Sequence, residues 1–336
     1  MAFSYRCAVV AKLAAPCYNI KMNIWQELPR PFLILAPMEG VTDLAFRQVI
    51  AKAGRPDLFY TEFTNVSSYA SEKGRHNALE RLEIVESDKP IIAQIWGKNP
   101  DHFSELSGAL ESLGFAGVDL NFGCPDKHVN KAGGGAAMIK APELAVDCYR
   151  KVRAATSLPV SIKTRLGFSF VDEYKTWLPT LLAEHPAALT VHLRTRKEMS
   201  KVAAHYELIP EILKMRAEIS PETKLIINGD IRDRAAALEL HAQYPEIDGF
   251  MIGRGVFANP YCFTDHTATR EELMELLHLH LDLYEKQMAL HGLPYEPLKH
   301  YYKIYINNFP GASDLRARLM ETHSVAEARE VLSASI

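Results

Sequence analysis

The chain lacks a long hydrophobic run. No window of its 336 residues approaches the ~18 consecutive apolar residues that a spanning helix needs, which excludes a helical membrane span and leads us to expect a soluble, cytoplasmic protein. An excess of one charge is also missing. With 38 Lys+Arg against 41 Asp+Glu, the net charge of -3 gives no global attraction to nucleic acid, so any RNA site has to be a local patch. Cysteine is sparse: Cys7, Cys17, Cys124, Cys148 and Cys262 form no C-x-x-C pair and no zinc-like spacing, which speaks for a reducing compartment and against a metal. Residues 1–21 carry Arg6, Lys12 and Lys21 in a broken apolar run without a persuasive cleavage site, so a secretory signal is not expected. Residues 1–30 read as an N-terminal extension, either disordered or upstream of a true start at Met22.

What is present is alternation. Short apolar, β-rich runs recur at Phe32–Ala36, Leu58–Glu62, Pro90–Ile95, Gly117–Asn121, Pro159–Lys163, Leu189–His192, Leu225–Asn228 and Gly249–Ile252. Between them lie stretches with apolar residues three and four apart, such as Asp43–Ala53, Asp101–Leu113, Ala141–Thr156 and Asp233–Gln243. Eight strand–helix units predict a (β/α)8 TIM barrel over residues 31–267. The doubly wound sheet is the rival, but its G-x-G-x-x-G fingerprint is missing after the first strand. From residue 268 to 336 the strand pattern stops, and Arg270–His291, Glu296–Asn308, Ser313–Met320 and Val325–Leu332 predict a small helical domain.

In a barrel of this kind the chemistry sits where the strands end, and the strand ends here are polar. Gly229, Gly253 and Gly255 follow the last two strands, where such barrels commonly bind phosphate, and Arg254 adds a matching charge. Lys163 closes an apolar strand, so its ammonium needs either an anionic ligand or a partner such as Asp119 or Glu62. Gln94 and His192 offer hydrogen bonds to a ring or phosphate, or serve structure only. Cys124, in a Gly-Cys-Pro turn, is the candidate reactive thiol; an unperturbed thiol is largely protonated at neutral pH and can donate a proton. Cys148 and Cys262 read as packing residues.

These residues fall within a wider set. Ala36–Asp43 (Ala-Pro-Met-Glu-Gly-Val-Thr-Asp), Thr61-Glu62-Phe63, Ala93-Gln94, Asp119–Pro125 (Asp-Leu-Asn-Phe-Gly-Cys-Pro), Gly133–Ala136, Lys163–Gly167, Asn228–Ile231 and Met251–Gly255 together resemble the tRNA-dihydrouridine synthases from about residue 31 to 332. The Asn-x-Gly-Cys-Pro motif followed by a glycine triplet is the specific part. The resemblance implies FMN held by Pro37, Met38, Glu39, Gln94, Lys163, His192, Asn228, Gly229, Asp230, Gly253 and Arg254, with Cys124 as the catalytic acid. It also implies substrate-side contacts from Asn121 and the Lys131–Gly135 loop, and tRNA binding by the C-terminal helices. Where the family has His-Gly-Arg-Thr, this chain reads His192-Leu193-Arg194-Thr195, a departure expected to tighten that turn.

The implied chemistry is coherent. The uracil C5=C6 bond is conjugated to the C4 carbonyl, so hydride from reduced FMN can add at C6 while Cys124 protonates C5. Without a Rossmann domain, NADPH has to visit the same flavin and leave before the base enters. The uridine must leave its stack, at a few kcal/mol, so backbone contacts have to compensate. Arg165, Arg194, Arg196, Lys197 and Lys201 at the mouth are the candidates, with Lys299, Lys303, Arg316, Arg318, Tyr301 and Tyr302 on the helices. A monomer is expected. The alternatives are an FMN-dependent dihydroorotate or dihydropyrimidine dehydrogenase acting on a free base, and a tRNA-binding chaperone that has lost catalysis.

Overall fold

The computed structural model describes residues 23–334, so Cys7, Cys17 and the readings made for residues 1–22 lie outside the described residues. Parallel strands close on themselves. In chain order they are β1 (Phe32–Leu35), β2 (Phe59–Tyr60), β3 (Thr64–Asn65), β4 (Ile91–Trp96), β5 (Gly117–Phe122), β6 (Val160–Arg165), β7 (Ala188–His192), β8 (Lys224–Asn228) and β9 (Gly249–Ile252). The sheet runs β1-β9-β8-β7-β6-β5-β4-β2. A parallel bridge from Ile34 to Leu58 joins its two ends into an eight-position barrel. The second strand expected over Leu58–Glu62 is instead broken: β2 and β3 pair separately with β4, and Phe63 between them lines the cavity at the strand ends.

Because side chains alternate along a strand, each apolar run serves two cores. Phe32, Ile34 and Ala36 point into the barrel with Leu58, Ile92, Ala188, Ile226 and Met251. Leu33 and Leu35 point out and join the larger core beneath the helices. Each fully buried side chain of this kind contributes roughly 1.5–3 kcal/mol. The segment before β1 forms a short helix, Ile24–Glu27, capped by Asn23, and its Trp25 packs on Phe32 with ring centroids 5.9 Å apart, closing the bottom of the barrel.

Helix Leu44–Gly54 shows how the helical region is attached. Asp43 caps it by accepting from the Phe46 amide at 2.8 Å, while Phe46, Val49 and Ile50 face the core. Its other carboxylate oxygen accepts from the Tyr301 hydroxyl at 2.9 Å, and Phe46 packs on His280 and Tyr301 at 5.8 and 5.1 Å. His280 belongs to the helix Arg270–His291, which opens on a Thr269/Glu272 capping box and stops at left-handed Gly292.

Two expectations change here. The helix expected over Glu296–Asn308 is a 3-10 turn, Glu296–Tyr301, followed by a short α-turn, Tyr302–Tyr305. The tighter winding stacks Leu298 and Tyr301 on one buried face, and left-handed Asn308 with Pro310 prevents continuation. Tyr301 and Tyr302, expected to face RNA, are buried in that packing. Among the described residues, no helix is long and apolar enough to cross a membrane.

Candidate functional site

A cavity of about 790 Å³ opens at the C-terminal ends of the strands. The two-residue period aims the ends of successive strands into it: Asn121 from β5, Lys163 and Arg165 from β6, His192 from β7 and Asn228 from β8. Register holds them side by side, with Asn121 opposite Lys163, Arg165 opposite His192, and His192 opposite Asn228. Pro37, Met38, Cys124, Gly229, Asp230, Gly253 and Arg254 complete the wall from the following loops.

The wall is cationic. Lys163, Arg165, Arg194, Arg232 and Arg254 line it against two carboxylates, Asp230 and Asp233. Asp230 is already engaged: it accepts from Arg194, from Arg254 at 3.0 Å and from the Ala204 amide at 2.9 Å. The Lys163 ammonium has no hydrogen bond or ion pair among the described residues, and burial with the nearby Arg165 charge lowers its pKa to about 8, Asp119 and Cys124 offsetting only part. Burial and the surrounding Arg165, Lys163, Arg194 and Arg254 charges push His192 well below its usual range. Its Nε2 accepts from Arg194 at 3.2 Å, which assigns the proton of the neutral ring to Nδ1. The size of the cavity, its positive lining and the unpaired ammonium fit an anionic, phosphorylated cofactor.

Cys124 sits at the cavity edge on a loop fixed from two sides. Its carbonyl accepts from the Ala136 amide at 3.1 Å and from Asn130 Nδ2 at 2.8 Å. The chain folds back this closely because Gly135 is left-handed and lacks a Cβ, which would lie 2.8 Å from the Cys124 carbonyl oxygen. On the other side, the Cys124 amide donates to Asn121 Oδ1 at 2.9 Å. Asn121 Nδ2 donates to Gln94 Oε1 at 2.9 Å, and Gln94 Nε2 to Asp119 Oδ2 at 2.7 Å. Ser161 Oγ completes the chain, donating to Asp119 Oδ1 at 2.6 Å. Burial raises the Asp119 pKa to about 6 despite these bonds and the Lys163 charge. Burial also raises the Cys124 thiol pKa, so the proton stays on sulfur at neutral pH.

Not every expected residue reaches the wall. Gln94 lies one interior step below it, both ends of its amide spent on Asp119 and Asn121. Glu39 turns outward to Arg81 at 2.7 Å. Arg194 is not free for a substrate: it is buried and bonded to Asp230, His192 and the Val202 carbonyl. Arg165 donates to the Gly123 and Thr195 carbonyls at 2.8 and 3.2 Å, so it braces the loops as it lines the cavity. Lys131 is exposed on the helix Lys127–Lys131, and Arg196 stacks on Phe168 at 5.2 Å; neither lines the cavity. Leu193 is fully buried in the helix-side core and leaves the turn around His192 to backbone bonds, among them Arg194 N–H to the His192 carbonyl at 2.7 Å. Asp119, Ser161 and Thr190 were missed as a polar layer, although each stands two residues before a cavity residue on its own strand.

The sequence model of one family, described as Dihydrouridine synthase (Dus), matches residues 34–336. The chain is 49% identical over 314 residues to a Bacillus subtilis (strain 168) protein named probable tRNA-dihydrouridine synthase 2, covering 92% of this chain and 95% of that one. It is likewise 49% identical over 317 residues to a probable tRNA-dihydrouridine synthase of Staphylococcus aureus (strain COL), covering 93% and 95%. A Staphylococcus epidermidis (strain ATCC 35984) protein of the same name matches at 49% over 317 residues, covering 93% and 96%.

Proposed function

Because the chain belongs to the dihydrouridine synthase family, we propose that it reduces uridine in tRNA to 5,6-dihydrouridine, with FMN in the barrel-mouth cavity and NADPH as reductant. The observation that carries this reading is that an unpartnered Lys163 and a protonated Cys124 line one cationic cavity. Bound FMN supplies the reducing equivalents to C6 of the uracil.

The protein's own residues do the rest. Lys163 balances negative charge on the ring system, and the low dielectric that destabilises the free ammonium strengthens that pairing. Asn228, Gly229, Gly253 and Arg254 hold the phosphate end, Asp230 fixing the Arg254 fork. Cys124 holds a proton for C5. Its thiol is a neutral donor whose raised pKa keeps it loaded, and the Asp119–Gln94–Asn121 chain sets the loop from which it reaches the base. Both ends of the Asn121 side-chain amide are on protein partners, Oδ1 on the Gly123 and Cys124 amides and Nδ2 on Gln94, which makes it a positioning residue.

The test is a pair of half-reactions under anaerobic conditions. NADPH should bleach the flavin of the purified holoenzyme, and tRNA lacking dihydrouridine should restore it, leaving dihydrouridine in the RNA. Reoxidation by orotate or free uracil but not by tRNA would overturn the reading in favour of a free-pyrimidine enzyme. A protein that NADPH cannot bleach would overturn it in favour of binding without catalysis.

A further inference from the structure

We propose that the loops after β6 and β7 form a stacking platform at the cavity rim for a nucleobase next to the target uridine, with Phe170 as the stacking ring and Lys197 and Lys201 on the adjacent phosphates. The inference depends on the reading that tRNA is the substrate. It starts from an aromatic ring on a turn: Phe170 is 68% exposed.

The display is rigid. The Glu173 carboxylate accepts the backbone amides of Phe168, Ser169 and Phe170 in succession, fixing all three residues. Gly167 permits this turn, since a Cβ there would lie 2.3 Å from the Phe170 carbonyl oxygen. The turn is then tied to the loop after β7 by the Arg196 amide to the Gly167 carbonyl at 2.8 Å and the Lys197 amide to the Phe168 carbonyl at 3.0 Å. The same second loop carries Met199, which is exposed and also lines the cavity. The turn that carries Phe170 is thus hydrogen-bonded to a loop that itself lines the cavity. Both loops leave the C-terminal ends of their strands, the face from which a substrate must enter.

The charges around it select the occupant. Lys140 and Arg196 sit over Phe168 at 4.3 and 5.2 Å, and Lys197 over Phe170 at 5.8 Å. None of these three, nor Lys201, has an ion pair among the described residues, and Arg196 Nε is buried with no hydrogen-bond partner. The neighbouring acids are spent inward or on lysine: Glu173 on the turn, Glu198 on the Thr195 amide and His205, Asp172 on Lys175. A chain with net charge -3 thus places uncompensated cations around exposed aromatic surface at its mouth. That pairing of base face and phosphate is the chemistry of single-stranded nucleic-acid binding. It also answers a specific need: extracting a uridine leaves its neighbour without a stacking partner, and a ring fixed at the rim replaces the lost face.

The experiment compares Phe170→Ala and Phe170→Trp holoenzymes with the wild type, measuring flavin bleaching by NADPH and steady-state reduction of tRNA lacking dihydrouridine. Loss of one base–aromatic stack should raise the tRNA KM about 5- to 150-fold in Phe170→Ala, while Phe170→Trp stays near wild type and bleaching is unchanged in both. In wild type, Lys197→Ala and Lys201→Ala should each lower the slope of log affinity against log salt by about 0.7–0.9. An unchanged KM in Phe170→Ala overturns the platform, as does an equal rise in both Phe170 variants, which would mean shape and not stacking. A change in self-association without a change in KM overturns it in favour of a contact between copies. Failure of the wild type itself to reduce tRNA rejects the substrate reading, and the platform with it.

Discussion

Replacing Lys163 with methionine should make the cofactor-free protein more stable and a worse flavin binder at once. The ammonium lies partly buried at the cavity wall, its pKa lowered from 10.5 to about 8, first by desolvation and then by Arg165. That corresponds to a destabilisation on the order of 3 kcal/mol relative to the same group in water. Between pH 8 and 10.5 the unfolded chain binds more protons than the folded one, so the folded protein gains stability as pH rises through this window. Below pH 8 the burden is fully present. Methionine keeps the length and removes the charge, so at pH 7 the cofactor-free Lys163→Met variant should be more stable than wild type by up to about 3 kcal/mol, and the difference should vanish toward pH 10.5.

FMN affinity should move the other way. A hydrogen bond to a charged group contributes ~1.5–3 kcal/mol, so its loss should weaken binding about 10- to 150-fold. Urea denaturation of the cofactor-free proteins at pH 7 and pH 10, beside titrations that follow FMN fluorescence, separates the two effects. A Lys163→Met protein that is less stable at pH 7 and binds FMN as tightly as wild type would show that the ammonium carries no penalty and serves no ligand.

Three further substitutions probe the rest of the site. Cys124→Ala should leave NADPH bleaching intact and slow flavin reoxidation by tRNA by ~10²–10⁴-fold, the usual effect of losing a positioned general acid; stopped-flow single turnovers measure both, and unaltered reoxidation would remove Cys124 from the chemistry. Asp119→Ala removes the carboxylate that accepts from Gln94 Nε2, which leaves the buried Gln94 amide without that partner and loosens its hold, through Asn121, on the Cys124 amide. Leaving such groups unpaired costs about 1–3 kcal/mol, so reoxidation by tRNA should slow roughly tenfold or more with bleaching near normal, and equal loss in both half-reactions would count against a role in placing the thiol. Tyr301→Phe removes the hydroxyl that reaches Asp43 and the Val41 carbonyl at 2.9 Å; urea unfolding should show a loss of about 1 kcal/mol, and no loss would mean that this link between the helical region and the loop after β1 does not hold the two together.

How far the sequence revealed this site depends on which quantity a residue's role required. Parallel strands buried on both faces are continuous apolar runs, so their polar endings stand out, and the period of two assigns Asn121, Lys163, His192 and Asn228 to the interior without any knowledge of partners. Direction was legible; height was not. Gln94 has the right parity, but register pairs it with Asp119 and not with Asn121, and one interior step, about 7 Å, separates a residue on the cavity wall from one beneath it. That step is fixed by the neighbouring strand, which local periodicity does not contain.

Rim charges were less legible still, because a long charged side chain turns to the best counter-charge it can reach. Arg194 finds Asp230, thirty-six residues on, and Glu39 finds Arg81. Phe170 is the converse case. Its residue type predicts burial, and only the folded loop shows it in water, which is why it attracted no notice in the sequence and carries the most information in the structure.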